Sequence, residues 1–445
     1  MTLSEQDIDI ARKAMKFAVS NGCSACRITV SAGTSITIEW RNGHVERLVQ
    51  NNDHDLYIQL YLEGRYGIID INRIDANELR CLILKGIETT RLLSADPCRR
   101  LPAPERCWRG QDIDLQTYDT NSSTIRIDDK MQLLQQAATT IDLNDKRLVS
   151  ALCTYSDSET DCYIADTNNF AGRFKSTCFN FATEIGVRGR RNTCPTAAWD
   201  DAVIYWNELC TASVAPMALQ RALNKNHERV PISGRMDLVV ENRVAAHLLR
   251  PVLQAINGHA IEQHNSFLSN LKNKQIAAEL LTMYDNPLQP HTFGARLFDD
   301  EGVRLQPRIV IEHGILRTFY FDTYTALKTG EEPTCNAPSL LLFNGGVRTC
   351  SQICAALEHG VLVTDFTGGN CNLATGDFSY GIEGFLIENG CLKAPIAETN
   401  LSGNMLQLWQ NLAEIGSDAY LQTACRMPSL RFSDICFGVT REING

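Results

Sequence analysis

Gly360-Val361-Leu362-Val363-Thr364-Asp365-Phe366-Thr367-Gly368-Gly369-Asn370, with Asp377 to Glu388 and Leu401-Ser402-Gly403-Asn404 close behind, is the stretch whose reading decides the fold. Residues 361–363 predict a short apolar strand that runs into a glycine-rich loop at 367–370. A longer strand at 377–388 follows and turns at Asn389-Gly390, a pair suited to a type I′ turn because both central residues take positive φ. The return strand 391–396 leads to a segment, 400–404, that opens a helix. A rigid sheet presenting glycine-rich backbone is a setting for holding a ligand by its main chain.

Working outward, the 445 residues suffice for two or three domains that bury full cores without staples. Lys and Arg number 42 against 52 Asp and Glu, a net charge of −10 that disfavours a phosphate backbone as partner. Residues 1–12 carry Glu5, Asp7 and Asp9 with no apolar leader segment, and no run approaches the ~18 apolar residues of a membrane span. The expectation is a cytoplasmic protein with no membrane partner. Seventeen cysteines are then read as reduced thiols. Cys23-Ser24-Ala25-Cys26 has redox spacing but follows a helix and leads into a strand. A reactive pair needs the reverse order, because a helix N-terminus is what lowers the thiol pKa. Cys350 and Cys354, four apart, have no second pair nearby.

The pattern predicts an α+β protein of two domains, with antiparallel sheets and helices packed on them: residues 1–225, and a β-rich 226–445. In the first, an amphipathic helix at 4–20, capped by Ser4, precedes four antiparallel strands: 36–40 and 45–49 joined by Asn42-Gly43, then 56–62 and 66–71. A helix follows from Asp75, as its cap, to about residue 90. Residues 94–127 form an irregular connection with Pro97, Pro102 and Pro104. A helix at 128–141, strands at 148–166, 170–187 and 196–208, and a helix at 212–223 complete this half. The turn Arg188-Gly189-Arg190-Arg191 is a solvated hairpin tip. In the second half come a strand at 236–240, a helix at 244–256 kinked by Pro251, strands at 279–284 and 293–299, a hairpin of 307–312 and 315–321 turning at His313-Gly314, a short helix at 324–330, a strand at 340–343 and a helix at 350–359. After residue 404 a helix runs to about 415, and a strand at 429–439 closes the chain.

Thr375-Gly376-Asp377-Phe378-Ser379, Gly384-Phe385-Leu386-Ile387-Glu388-Asn389-Gly390, Pro395 and Leu401-Ser402-Gly403-Asn404 resemble the C-terminal signature of the TldD/PmbA family, an intracellular peptidase system once labelled a modulator of DNA gyrase. The acidic balance gives the gyrase label no physical support. In the family's catalytic branch a helix carries His-Glu-x-x-x-His; its imidazoles and a later cysteine hold zinc, and the Glu is the general base. The matching helix here reads His247-Leu248-Leu249-Arg250-Pro251-Val252. Leu248 stands in place of the Glu and Val252 in place of the second His, and neither binds metal or moves a proton. The resemblance therefore implies the PmbA (TldE)-like branch: no catalytic residues, no cofactor and no metal in this chain, zinc in a TldD-type partner subunit, and unfolded peptide as substrate. Thr367, Gly368, Gly369 and Asn370 are the residues expected to face that peptide.

Two other readings stay open. His259, Glu262 and His264, with Cys425 just before the closing strand, are the residues a stand-alone metal-dependent peptidase would use, although the Glu stands three residues beyond the first His rather than one. Alternatively, the chain is a homodimeric binding or scaffold protein without a peptidase partner. Ser379 sits between two strands rather than on the strand-turn-helix of an esterase nucleophile.

Overall fold

Ser4 accepts from the Asp7 amide while Asp7 reaches back to the Ser4 amide, and this reciprocal cap starts α1 (Glu5–Ser20) as its sequence predicts. A computed structural model describes residues 2–72, 76–110, 113–190 and 193–439. β1 (Ala25–Arg41), β2 (His44–Leu62) and β3 (Arg65–Ile71) follow α1, then α2 (Ala76–Arg91). The predicted cap Asp75 lies outside the described residues, as does Arg191. Where the sequence reads as separate short strands, the structure has unbroken ones. β1 pairs with β2 from Ala25 to Arg41 with one irregularity at Glu39/Trp40, because residues 31–36 keep extended pairing though they carry few large side chains. The hairpin turn is as read, with Asn42 at φ 47° and Gly43 at φ 93°.

α3 (Ile127–Ala138), β4 (Leu148–Asp166), β5 (Ala171–Val187), β6 (Thr196–Val203) and α4 (Val214–Asn224) complete a six-stranded antiparallel sheet in the order β3-β2-β1-β4-β5-β6. Alternation sorts its faces. Ile28 and Val30 pack with Ile8, Ala11, Ile83 and Ile87 under α1 and α2. Further along the same face of β1, Ile36 and Ile38 meet Leu134, Ala137 and Val214 of α3 and α4.

The second half runs β7 (Gly234–Val240), α5 (Asn242–Ala255), α6 (Gly258–Glu262), β8 (Met283–Asp285), β9 (Arg308–Glu312), β10 (Ile315–Leu316), α7 (Thr323–Thr329), β11 (Leu341–Phe343), α8 (Cys350–Ala355), β12 (His359–Cys371), β13 (Asp377–Glu388), β14 (Cys391–Pro395), β15 (Thr399–Asn404), α9 (Met405–Gln410), β16 (Leu412–Ile415) and β17 (Leu430–Val439). Several expectations need correction. Residues 293–299 form no strand; Ala295 and Phe298 are buried from an irregular path, which an apolar run cannot distinguish from a strand. Of the predicted strands 279–284 and 315–321, only 283–284 and 315–316 lie in strands, with Tyr320 in an isolated bridge to Asn257, and residues 412–415 are strand rather than helix. Pro251 lies inside α5 as read, and the helix continues past it to Ala255 with the ring buried.

β8 to β11 form a small sheet, β10-β9-β8-β11. The larger one closes on itself: β12 pairs β7, β7 pairs β17, β17 pairs β15, β15 pairs β13, and β13 pairs β12 again, with β14 and β16 attached outside. β12 and β7 are parallel, an exception to the antiparallel expectation that their long connection allows. Leu238, Val240, Val361 and Val363 point into this barrel, while Val239, Leu362 and Ile387 point out against Ile353, Cys354 and Leu357 of the α8 region. Among the described residues no helix is long and apolar enough to cross a membrane.

The connection at 94–127 runs between the halves. Cys107 bridges to Val303, the Trp108 amide donates to the Gly302 carbonyl, and Arg99 lies 3.5 Å from the Tyr324 ring centre and 4.9 Å from that of Tyr66.

Candidate functional site

α5 lies across β12 and the N-terminal half of β13, and His247 is its contact point. The imidazole stacks on Phe366 with centroids 4.4 Å apart and planes 9° apart, and meets the edge of Tyr380 at 4.6 Å. Phe378 stacks on Tyr380 in turn, 5.3 Å away. Burial, helped by the Arg250 cation, pushes the His247 pKa down against a weaker opposing pull from Asp365, so the ring is held neutral. Leu248 and Val252 are 0% and 3% exposed and belong to the core. A carboxylate or imidazole at either position would have to be buried among aliphatic side chains, and each apolar side chain there contributes roughly 1.5–3 kcal/mol of burial instead. Pro251 offers no N–H to the His247 carbonyl four residues back. Phe366 and Tyr380 were not singled out from sequence; the period-two run Phe378, Tyr380, Ile382 was the available signal.

The glycine-rich segment is a strand, not a loop. Gly368 pairs with Gly381, Gly369 with Tyr380 and Asn370 with Ser379, so Thr367 to Asn370 form the outer part of β12. Gly368 and Gly369 have φ of 147° and 108°, and a Cβ on Gly369 would meet the Ser379 carbonyl oxygen at 2.0 Å. The glycines thus permit close strand approach through a bulged ladder. β7 covers the other edge of β12 only at residues 360–363. Beyond that point, among the described residues, no strand pairs with this edge, and residues 367–370 are exposed. The site therefore offers a free run of backbone beside a neutral aromatic cluster, with Asp365 and Arg250 exposed at its margin.

The other candidates lie apart from this cluster. His259 on α6 is half-exposed, 3.5 Å from Asp322. Glu262 ends the same short helix, and His264 follows with φ 54°. Cys425 bridges to Leu341, and burial pushes its thiol up to about 12, the reverse of what a thiolate ligand needs. Among the described residues no three His, Cys, Asp or Glu side chains come together in a way that could hold a metal. Ser379 Oγ lies 3.0 Å from Ser402 Oγ, with no base on it. Cys23 is pushed up to about 11 by burial and Cys26 higher still, and all seventeen cysteines are free.

A long-stranded α+β layer joined to a closed barrel, with α5 and its His247 set against β12 and β13, defines the class of fold. The chain belongs to the PmbA/TldD family. Residues 233–438 match the family model of the PmbA/TldA metallopeptidase C-terminal domain. The chain is 24% identical over 444 residues to the metalloprotease PmbA of Escherichia coli, covering 92% of this chain and 93% of that one. A metalloprotease of Archaeoglobus fulgidus is 30% identical over 198 residues, 41% of this chain and 45% of its own length. Among solved structures, a candidate modulator of DNA gyrase from Bacteroides thetaiotaomicron is 37% identical with a TM-score of 0.95, covering 98% of this chain and all of that one. TldE from Thermococcus kodakarensis has the same fold, with a TM-score of 0.82 at 19% identity over 97% of this chain and all of that one.

Proposed function

We propose that this chain is a zinc-free, PmbA/TldE-like subunit that works with a TldD-type zinc-bearing partner in the cytoplasm and helps hold unfolded peptide for cleavage. The observation that supports this reading is the environment of His247. The one histidine at the family's zinc helix is packed neutral between Phe366 and Tyr380, and the positions of the general base and second ligand are buried Leu248 and Val252. The role left to the chain is contact through backbone, and the free edge of β12 at Thr367, Gly368, Gly369 and Asn370 is suited to adding an extended peptide as a further strand, independent of its sequence. The test is reconstitution. Elemental analysis of the purified chain is expected to give less than stoichiometric zinc, and the chain alone to leave an unfolded peptide intact. Adding a cognate TldD-type subunit is expected to yield chelator-sensitive cleavage above that of the partner alone. Stoichiometric zinc with hydrolysis by the chain alone would overturn the reading, as would a partner whose activity this chain does not raise.

A further inference from the structure

β2 is the longest exposed edge in the molecule's first sheet. β1 pairs along its whole length, but β3 covers its other side only from Leu56 to Leu62. Among the described residues no strand pairs with the outer edge of residues 44–55. Val45 and Leu48 on this stretch are 44% and 46% exposed. Natural sheets protect such edges with Pro, charged side chains, bulges or a covering element, and of these the stretch has charges alone, Glu46, Arg47, Asp53 and Asp55, of both signs. Residues 44–55 contain neither Pro nor Lys, and the irregularity of this hairpin sits at Glu39/Trp40, near its tip.

We propose that this edge pairs antiparallel with the same edge of a second copy of the chain, about a two-fold axis at Gln50. The argument is charge self-complementarity. Only alternate residues of a strand turn their N–H and C=O outward, so a two-fold strand pair must be centred on a residue, not between two. Centred on Gln50, Arg47 stands opposite Asp53 of the second copy, the symmetry makes that pair twice, and residues 45–55 all fall within the uncovered edge. Opposed charges across strands stabilise pairing, and like charges oppose it. Registers centred on Leu48 or Val49 put no opposite charges together, and one centred on Asn51 sets Arg47 against Asp55 but carries Glu46 and Val45 onto Leu56 and Tyr57, where β3 already covers the edge. Pairing about Gln50 joins two six-stranded sheets into one continuous sheet. It leaves the barrel and the β12 edge of each copy free, so it does not depend on the peptidase-subunit reading.

Residues directly opposite in an antiparallel pair have Cα atoms about 4.5–5.5 Å apart, within the span a disulfide bridges. The full-length Gln50→Cys chain, mildly oxidised, is expected to give a disulfide between the two position-50 thiols, identified by mass spectrometry of the linked peptide so that native thiols are not confused with it. Leu48→Cys is expected to link to itself far less, since Leu48 stands opposite Asn52. Arg47→Glu is expected to weaken self-association at least tenfold by sedimentation, and adding Asp53→Arg to restore it. A monomer at tens of micromolar, a dimer that Arg47→Glu does not weaken, or linkage at position 48 in preference to 50 would each overturn the proposal.

Discussion

Asp299 shows at single-residue scale what joining the two halves costs. It is 2% exposed, and its Oδ1 accepts from the Glu301 and Val303 amides at 2.9 Å each. Burial, and then the nearby Glu301 carboxylate, push its pKa up to about 6. A carboxyl whose folded pKa lies above its unfolded value stabilises the fold as the neutral acid. That contribution is complete below about pH 4 and is lost as pH rises through about 6. Asn at this position stays neutral and can keep the Oδ1 acceptor for both amides, while its Nδ2 loses the bond that Oδ2 accepts from the Asn336 amide at 3.4 Å, a cost that is the same at every pH. Relative to the parent chain, Asp299→Asn is expected to gain stability between pH 4 and pH 7, by up to roughly 3 kcal/mol. Urea unfolding at pH 4, 5.5 and 7 reads this directly, and a difference that stays flat across the three would show that Asp299 is not held protonated. Nothing in the sequence marked the residue. As the last residue of the predicted strand 293–299 it carries no mark of burial, and only the packing of Phe298 against Phe170 and Phe174 takes its neighbour inside.

Among the elements, those set by local chemistry were legible and those set by distant partners were not. The Asn389-Gly390 turn has φ of 50° and 74° as its sequence demands, and β13 spans the residues its alternation predicts. The outer half of β12 reads as a loop in the sequence because glycines signal flexibility until a partner strand is known. The same holds for the candidate site: the apolar character of Leu248 and Val252 is plain in the sequence, whereas the Phe366 and Tyr380 that enclose His247 come from strands more than a hundred residues away. Gly384 tests whether the β12–β13 ladder is as tight as its glycines imply. A Cβ there would sit 1.9 Å from the Leu362 carbonyl oxygen and 3.0 Å from the Val363 Cα, both backbone atoms held in the ladder. Gly384→Ala is expected to cost about 3 kcal/mol or to prevent folding, while Gly345→Ala, with open space around it, stays within about 0.5 kcal/mol. Equal denaturation midpoints for the two variants would contradict that strand spacing.

At the scale of the whole molecule, we propose that the chain divides near residues 225–234 into units held together by a few concentrated contacts. Arg243 at the start of α5 pairs with Asp200 of β6, and its guanidinium carbon lies 3.6 Å from the Trp199 ring centre and 4.5 Å from that of Tyr420. On the opposite side Arg99 is clasped by Tyr66 and Tyr324, and Asp96 pairs with Lys328 at 2.9 Å. Each anchor joins a group from the first sheet or its connection to one from the second half. The first sheet has cores of its own, and the cluster shared by the barrel and the small sheet draws only on residues beyond 230. Weakening the anchors is therefore expected to separate two cooperative units rather than to unfold one. Arg99→Ala with Arg243→Ala removes both stacked guanidinium groups and leaves every sheet ladder intact. Calorimetry of the double variant is expected to resolve two transitions where the parent shows one, the later one retaining its enthalpy. A single transition, shifted but undivided, would mean that the Phe298 cluster and the buried connection already make the chain one cooperative unit, and that residues 225–234 mark a change of sheet but no boundary of folding.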